Sequence, residues 1–116
     1  MLQRQFILEP ETDYPLYVTA KQYWCPEFEV DWRHPDALTL VLLHSTSFHK
    51  ETWEPTLRHF FEDILKYQSY AIPRIKSAWV IECPNHGESA VLNVHALQRP
   101  PFHHSCKSAR SSSSLA

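Results

Sequence analysis

Histidine, serine and cysteine cluster at two places in this chain where chemistry could be done. His44-Ser45-Thr46-Ser47-Phe48-His49 follows the apolar run Leu38–Leu43, and Cys83-Pro84-Asn85-His86-Gly87-Glu88-Ser89 continues from the apolar run that begins at Ala78. A loop leaving an apolar strand for a helix can aim backbone N–H groups at negative charge developing on a carbonyl oxygen, the requirement of acyl transfer. The plainer reading of the first loop is a strand-to-helix connection whose Ser and Thr side chains cap turns. Gly87-Glu88-Ser89 has the front half of a Gly-x-Ser-x-Gly nucleophile turn, but Val91 stands where the second glycine lets strand and helix pack closely. Ser89 is therefore read as a helix N-cap rather than a nucleophile, with Gly87 supplying a positive φ.

The other reactive side chains point to structure. His44 and His86 sit at strand ends and are read as turn residues rather than proton shuttles, and His59 as facing solvent. Cys25 and Cys83 flank prolines and are read as small buried residues, since no local cluster of positive charge would activate a thiol. His103-His104 with Cys106 could bind a metal loosely, but in a segment without a scaffold or a fourth ligand. No metal and no cofactor are expected.

The elements that must position these loops follow from periodicity. Phe6–Glu9 and Leu16–Trp24 are rich in β-formers and flank the turn-prone segment from Pro10 to Pro15, which predicts a hairpin. Cys25–Ala37, with Pro26, Asp31, Pro35 and Asp36, reads as loop. Leu38–Leu43 is almost unbroken apolar, the pattern of a central parallel strand covered on both faces. Between Thr52 and Tyr67 the positions Trp53, Leu57, Phe60, Phe61, Ile64 and Leu65 form one helical stripe, read as core. Thr52 is its expected N-cap, Pro55 lies in its first turn, and Glu51 and Glu54 suit its positive end. Gln68–Ser77 connects to a second apolar strand, Ala78–Cys83, completing a right-handed βαβ unit with parallel strands. Ala90–Leu97 can begin a further helix.

Composition sets outer bounds. At 116 residues, 43% hydrophobic and 13% aromatic, the chain suffices for one packed α/β domain, placed at residues 1–97. Residues 98–116, rich in Pro and Ser, are expected to be a disordered tail. Eleven basic residues against thirteen acidic, with no basic stripe, argue against nucleic-acid binding. No apolar run is long enough for a membrane span and no signal peptide is visible, so the expected compartment is cytoplasmic. Three cysteines, Cys25, Cys83 and Cys106, are too few and too dispersed for a disulfide framework. One glycine against nine prolines is an unusual balance for an α/β enzyme and hints at missing parts.

The loop from His44 to Trp53 resembles the His-Gly oxyanion loop of the α/β-hydrolase superfamily, and Cys83–Ser89 resembles that superfamily's Asp-x-x-Gly-x-Gly-x-Ser segment. Within it, Thr46-Ser47-Phe48-His49-Lys50-Glu51 and Pro84-Asn85-His86-Gly87 look like fungal hydrolases related to toxin-biosynthesis and peroxisomal lipase-like proteins. The likeness covers roughly residues 5 to 97. It implies that the Thr46 N–H is an oxyanion donor with Ser47 beside it, although Ser45 stands where the family usually has glycine. It also implies that nucleophile, acid and histidine come later, in a complete core of about 250 residues.

The expectation is thus a partial α/β-hydrolase core, the N-terminal part of a serine hydrolase or esterase, with no nucleophile, acid or catalytic histidine and inactive alone. An ester-like small-molecule substrate would be met only after completion by a C-terminal half. A peroxisomal location belongs to full-length relatives. The family fold would flank the first parallel strand with the second and a fifth, so a chain without the fifth exposes the edge of Leu38–Leu43. Self-association, or a non-enzymatic module that binds a partner through that edge, is the alternative. Small-esterase chemistry run by Ser89 or Ser45 with a nearby histidine is a third.

Overall fold

The computed structural model describes residues 1–67 and 72–99. Strand β1 (Leu2–Leu8) pairs antiparallel with β2 (Val18–Trp24), Leu2 opposite Trp24 and Leu8 opposite Val18. The turn between them is closed by reciprocal bonds, the Glu11 N–H to the Tyr14 carbonyl at 2.9 Å and the Tyr14 N–H to the Glu11 carbonyl at 3.1 Å. The expected hairpin is present, with its first strand starting four residues earlier than Phe6. Strand β3 (Leu38–Leu43) runs parallel to β4 (Ile75–Ile81), and β4 also pairs antiparallel with β2, giving the sheet order β1-β2-β4-β3. This is a mixed sheet with helices, of α/β character.

Helix α1 (Glu54–Lys66) makes the βα crossover. It begins after a 3₁₀ turn, Lys50–Trp53, so Thr52 is not its N-cap; Trp53 holds that position without a side-chain bond. Pro55 falls in the first turn, where a missing N–H is harmless. Leu57 and Phe61 are buried against Tyr23, Phe28, Ala78 and Val80, with Trp53, Ile64 and Leu65 packed at the margin. Phe60, expected in this stripe, is exposed and touches Phe61 only from its outer side. Cys25–Ala37 is more regular than a loop: Pro26–Asp31 forms a 3₁₀ helix that sends Phe28 edge-on against Phe61, ring centroids 5.0 Å apart. Beyond β4, which ends two residues before the expected Cys83, come α2 (Gly87–Leu92) and α3 (Val94–Leu97).

Strand β3 is not central. Among the described residues it is the last strand of the sheet, and its Leu40 and Leu42 side meets the core. Val41 and Leu43 alternate to the other face and remain 60% and 64% exposed. Their register partners Trp79 and Ile81, and Phe6 stacked on Trp79 at 4.8 Å, continue this face across the sheet. A continuous apolar run signals two buried faces only when a helix covers each, and here α1 covers one. Residues 98 and 99 end the described chain, so the tail expected over 98–116 lies outside the described residues from residue 100 onward. Among the described residues no helix is long and apolar enough to cross a membrane.

Candidate functional site

Parallel β3 and β4 end side by side, so their following loops meet at the carboxyl edge of the sheet, where ligands bind in open α/β folds. A buried polar network joins them. Glu82, one residue past β4, is fully buried. Its Oε2 accepts the Lys50 backbone N–H at 3.0 Å, and its Oε1 accepts Lys50 Nζ at 3.1 Å, the Thr19 hydroxyl at 2.9 Å and the Ser89 N–H at 3.2 Å. Lys50, equally buried, also reaches Glu88 at 2.9 Å and Glu51 at 3.2 Å. Burial alone would raise the Glu82 carboxyl, but the Lys50 and Ser89 N–H groups, the Lys50 ammonium and Thr19 outweigh it and hold it below its ordinary value. Burial likewise opposes the charge on Lys50, and the bonds from Glu88, Glu82 and Glu51 overcome it, so its pKa is raised. Glu51 is lowered to about 2: burial acts against the shift, and His49, its own backbone N–H, Lys21 and Lys50 more than offset it. No described buried side-chain nitrogen or oxygen lacks a partner.

Gly87 takes φ +48°, as expected of it, and lies against the same carboxylate. A Cβ at this position would meet the carboxyl carbon of Glu82 at 2.6 Å and its Oε1 at 2.8 Å. Ser89 is neither N-cap nor available nucleophile. His86 precedes the helix as its N-cap residue, while the buried Ser89 hydroxyl accepts the Thr19 N–H at 2.9 Å and lies 3.0 Å from the Thr19 hydroxyl. Asn93, also buried, clamps β2 to the second loop by accepting the Tyr17 N–H and donating to the Tyr17 and Pro84 carbonyls.

The first loop holds Thr46 and Ser47 at the surface. Ser47 adopts φ 71°, a left-handed conformation unusual for a residue with a side chain. Its N–H donates to His86 Nε2 at 3.1 Å, and the Cys83 N–H donates to His44 Nε2 at 3.0 Å, so each loop's histidine holds a backbone donor of the other. An amide N–H can only donate, so both Nε2 atoms are acceptors and both Nδ1 atoms carry the proton. That assignment suits their neighbours: His44 Nδ1 lies 2.9 Å from the Ser45 carbonyl and His86 Nδ1 lies 2.7 Å from Asn85 Oδ1. The rings pack at 4.9 Å between centroids. His44 thus meets the carbonyl of Ser45, not its hydroxyl. The Thr46 N–H meets no acceptor among the described residues, while the Ser47 N–H is already engaged.

Cys83 is exposed rather than buried, because β4 ends before it and the turn carries it past the sheet edge. Its thiol, one nitrogen of His44 and one of His86 all lie within 4.8 Å of one another. Burial of Cys25, by contrast, is as expected and raises its thiol pKa. Comparison with family models, with curated proteins and with solved structures found no match. Reading the sequence missed the His44, Cys83 and His86 cluster. The available signal was a Cys-x-x-His step two residues after one parallel strand and a histidine directly after its neighbour. His103, His104 and Cys106 lie outside the described residues.

Proposed function

We propose that this chain is the N-terminal part of an α/β-hydrolase-type serine hydrolase or esterase core, and that its two strand-to-helix loops form the anion-binding side of an acyl-transfer site. The observation that carries the reading is the junction of those loops at the carboxyl ends of β3 and β4, with a Thr46 N–H that meets no acceptor among the described residues beside a Ser47 held at positive φ. A backbone donor fixed in this way needs no reorganisation when a carbonyl oxygen becomes an oxyanion. The nucleophile, its base and the orienting acid are assigned to a further segment, since the Ser89 hydroxyl is buried on Thr19 and no imidazole meets a serine hydroxyl among the described residues. The side of β3 that no described strand pairs is where such a segment would add its strand.

The test is turnover of short p-nitrophenyl esters by the purified chain, with a fluorophosphonate probe read by intact mass. We expect no rate above buffer and no adduct from the chain alone, and measurable turnover once a separately expressed C-terminal half carrying the nucleophile is added. A stoichiometric adduct on one serine of the isolated chain would overturn the assignment. A second reading, a non-enzymatic module that binds a partner through the β3 edge, is favoured by the same exposed Val41 and Leu43. Tight binding of a C-terminal half without any turnover would select it.

A further inference from the structure

We propose that His44, Cys83 and His86 form a binding site for a borderline-soft divalent cation of the zinc type, with a water as fourth ligand. This goes beyond the hydrolase reading and does not depend on it. Two imidazoles and a thiolate are the donor set that such an ion prefers, and three protein ligands leave a tetrahedral position open.

The geometry of the two rings carries the argument. In both, Nδ1–H is anchored on an oxygen of its own loop, the Ser45 carbonyl and Asn85 Oδ1. Outer partners of this kind fix tautomer and ring orientation at metal sites, and leave Nε2 as the ligand atom. Both Nε2 atoms now accept backbone N–H groups that belong to exposed loop residues, Ser47 and Cys83, which water can satisfy when the ring turns to a metal. One ring nitrogen of each histidine and the Cys83 thiol lie within 4.8 Å of one another, and tetrahedral coordination asks for separations of about 3.3–3.6 Å. Coordination requires the exposed Cys83 thiol and the two half-buried imidazoles, each pivoting on its anchored Nδ1, to turn until that gap closes. Binding replaces the Cys83 S–H bond by a sulfur–metal bond and releases one proton to solvent. His44 comes from one βα loop and Cys83 and His86 from the other, so the ion would lock the two loops together where the Ser47 contact now does.

The probe is Co(II) added to the full chain, read by its visible ligand-field bands and by the near-ultraviolet thiolate-to-cobalt charge-transfer band, followed by displacement with Zn(II). The expected result is one equivalent bound with tetrahedral bands and a charge-transfer band. Cys83→Ser, a near-isosteric change at an exposed position, should abolish the charge-transfer band, and His44→Ala or His86→Ala should weaken binding at least tenfold. His59→Ala should leave the spectrum unchanged. Intensity that persists in Cys83→Ser but vanishes when His103, His104 and Cys106 are replaced would overturn the proposal. So would an octahedral spectrum, or no spectrum, for the unaltered chain.

Discussion

The pairing of Lys50 with Glu82 shows how a single residue can decide whether two loops stay together. Both side chains are fully buried, and a buried charge without its partner is strongly unfavourable. Lys50→Met should therefore lower the unfolding free energy by about 3–5 kcal/mol, measured by urea titration, because it removes the ammonium that faces the buried Glu82 carboxylate. Gly87→Ala imposes both a positive φ on alanine and an overlap with the Glu82 carboxylate. A loss of at least about 1–3 kcal/mol is expected from the same titration. Ser47 presents the opposite case, a side chain in backbone space that suits glycine. Ser47→Gly should be neutral or stabilising by up to about 1 kcal/mol, while Ser47→Val should destabilise. Acid sensitivity follows from the lowered carboxyls. Glu51, at about 2 in the fold against an ordinary 4.5, binds protons less readily when folded. Its stabilisation is present above about pH 4.5 and is lost as pH falls toward 2, and the lowered Glu82 acts in the same direction. A stability profile over that window should flatten in Glu51→Gln, and an unchanged slope would refute the assignment.

At the scale of elements, helix α1 and strand β3 divide the consequences of one-sided coverage. Helix α1 places Leu57 and Phe61 on the covered face, so Phe61→Ala should be as damaging as other large core truncations, about 3–5 kcal/mol. Strand β3 has β4 on one side and, among the described residues, no strand on the other, where the Trp53 indole donates to the Leu43 carbonyl at 3.0 Å. Unpaired edges recruit further strands, and Val41 adds an exposed apolar side chain to this one. Val41→Lys should shift sedimentation profiles toward monomer at high concentration without altering unfolding by more than about 0.5 kcal/mol. Equal self-association of both proteins would place the contact elsewhere.

For the molecule as a whole, the elements were readable from the sequence because they depend on local patterning. Strand β3 matched its apolar run at both ends, α1 matched its stripe within two residues, and the positive φ of Gly87 followed from its turn. Beside Thr52 as N-cap, Phe60 as core and Cys25–Ala37 as loop, three readings failed at the site: Ser89 as N-cap, Cys83 as buried, and β3 as covered on both faces. These three turned on where elements begin and end and on what covers them: α2 starting already at Gly87 for Ser89, the early end of β4 for Cys83, and the absence of a second covering element for β3 among the described residues. The Glu82 and Lys50 pair, 32 residues apart, and the Asn93 and Tyr17 clamp, 76 apart, have no periodicity that could announce them. By itself the sequence determined an α/β chain with a hairpin, a parallel βαβ unit and two polar loops, since hydrophobic period and turn chemistry act between near neighbours. Only the tertiary structure decided which residues of those loops face one another, because strand order and register bring together side chains that the chain itself keeps far apart.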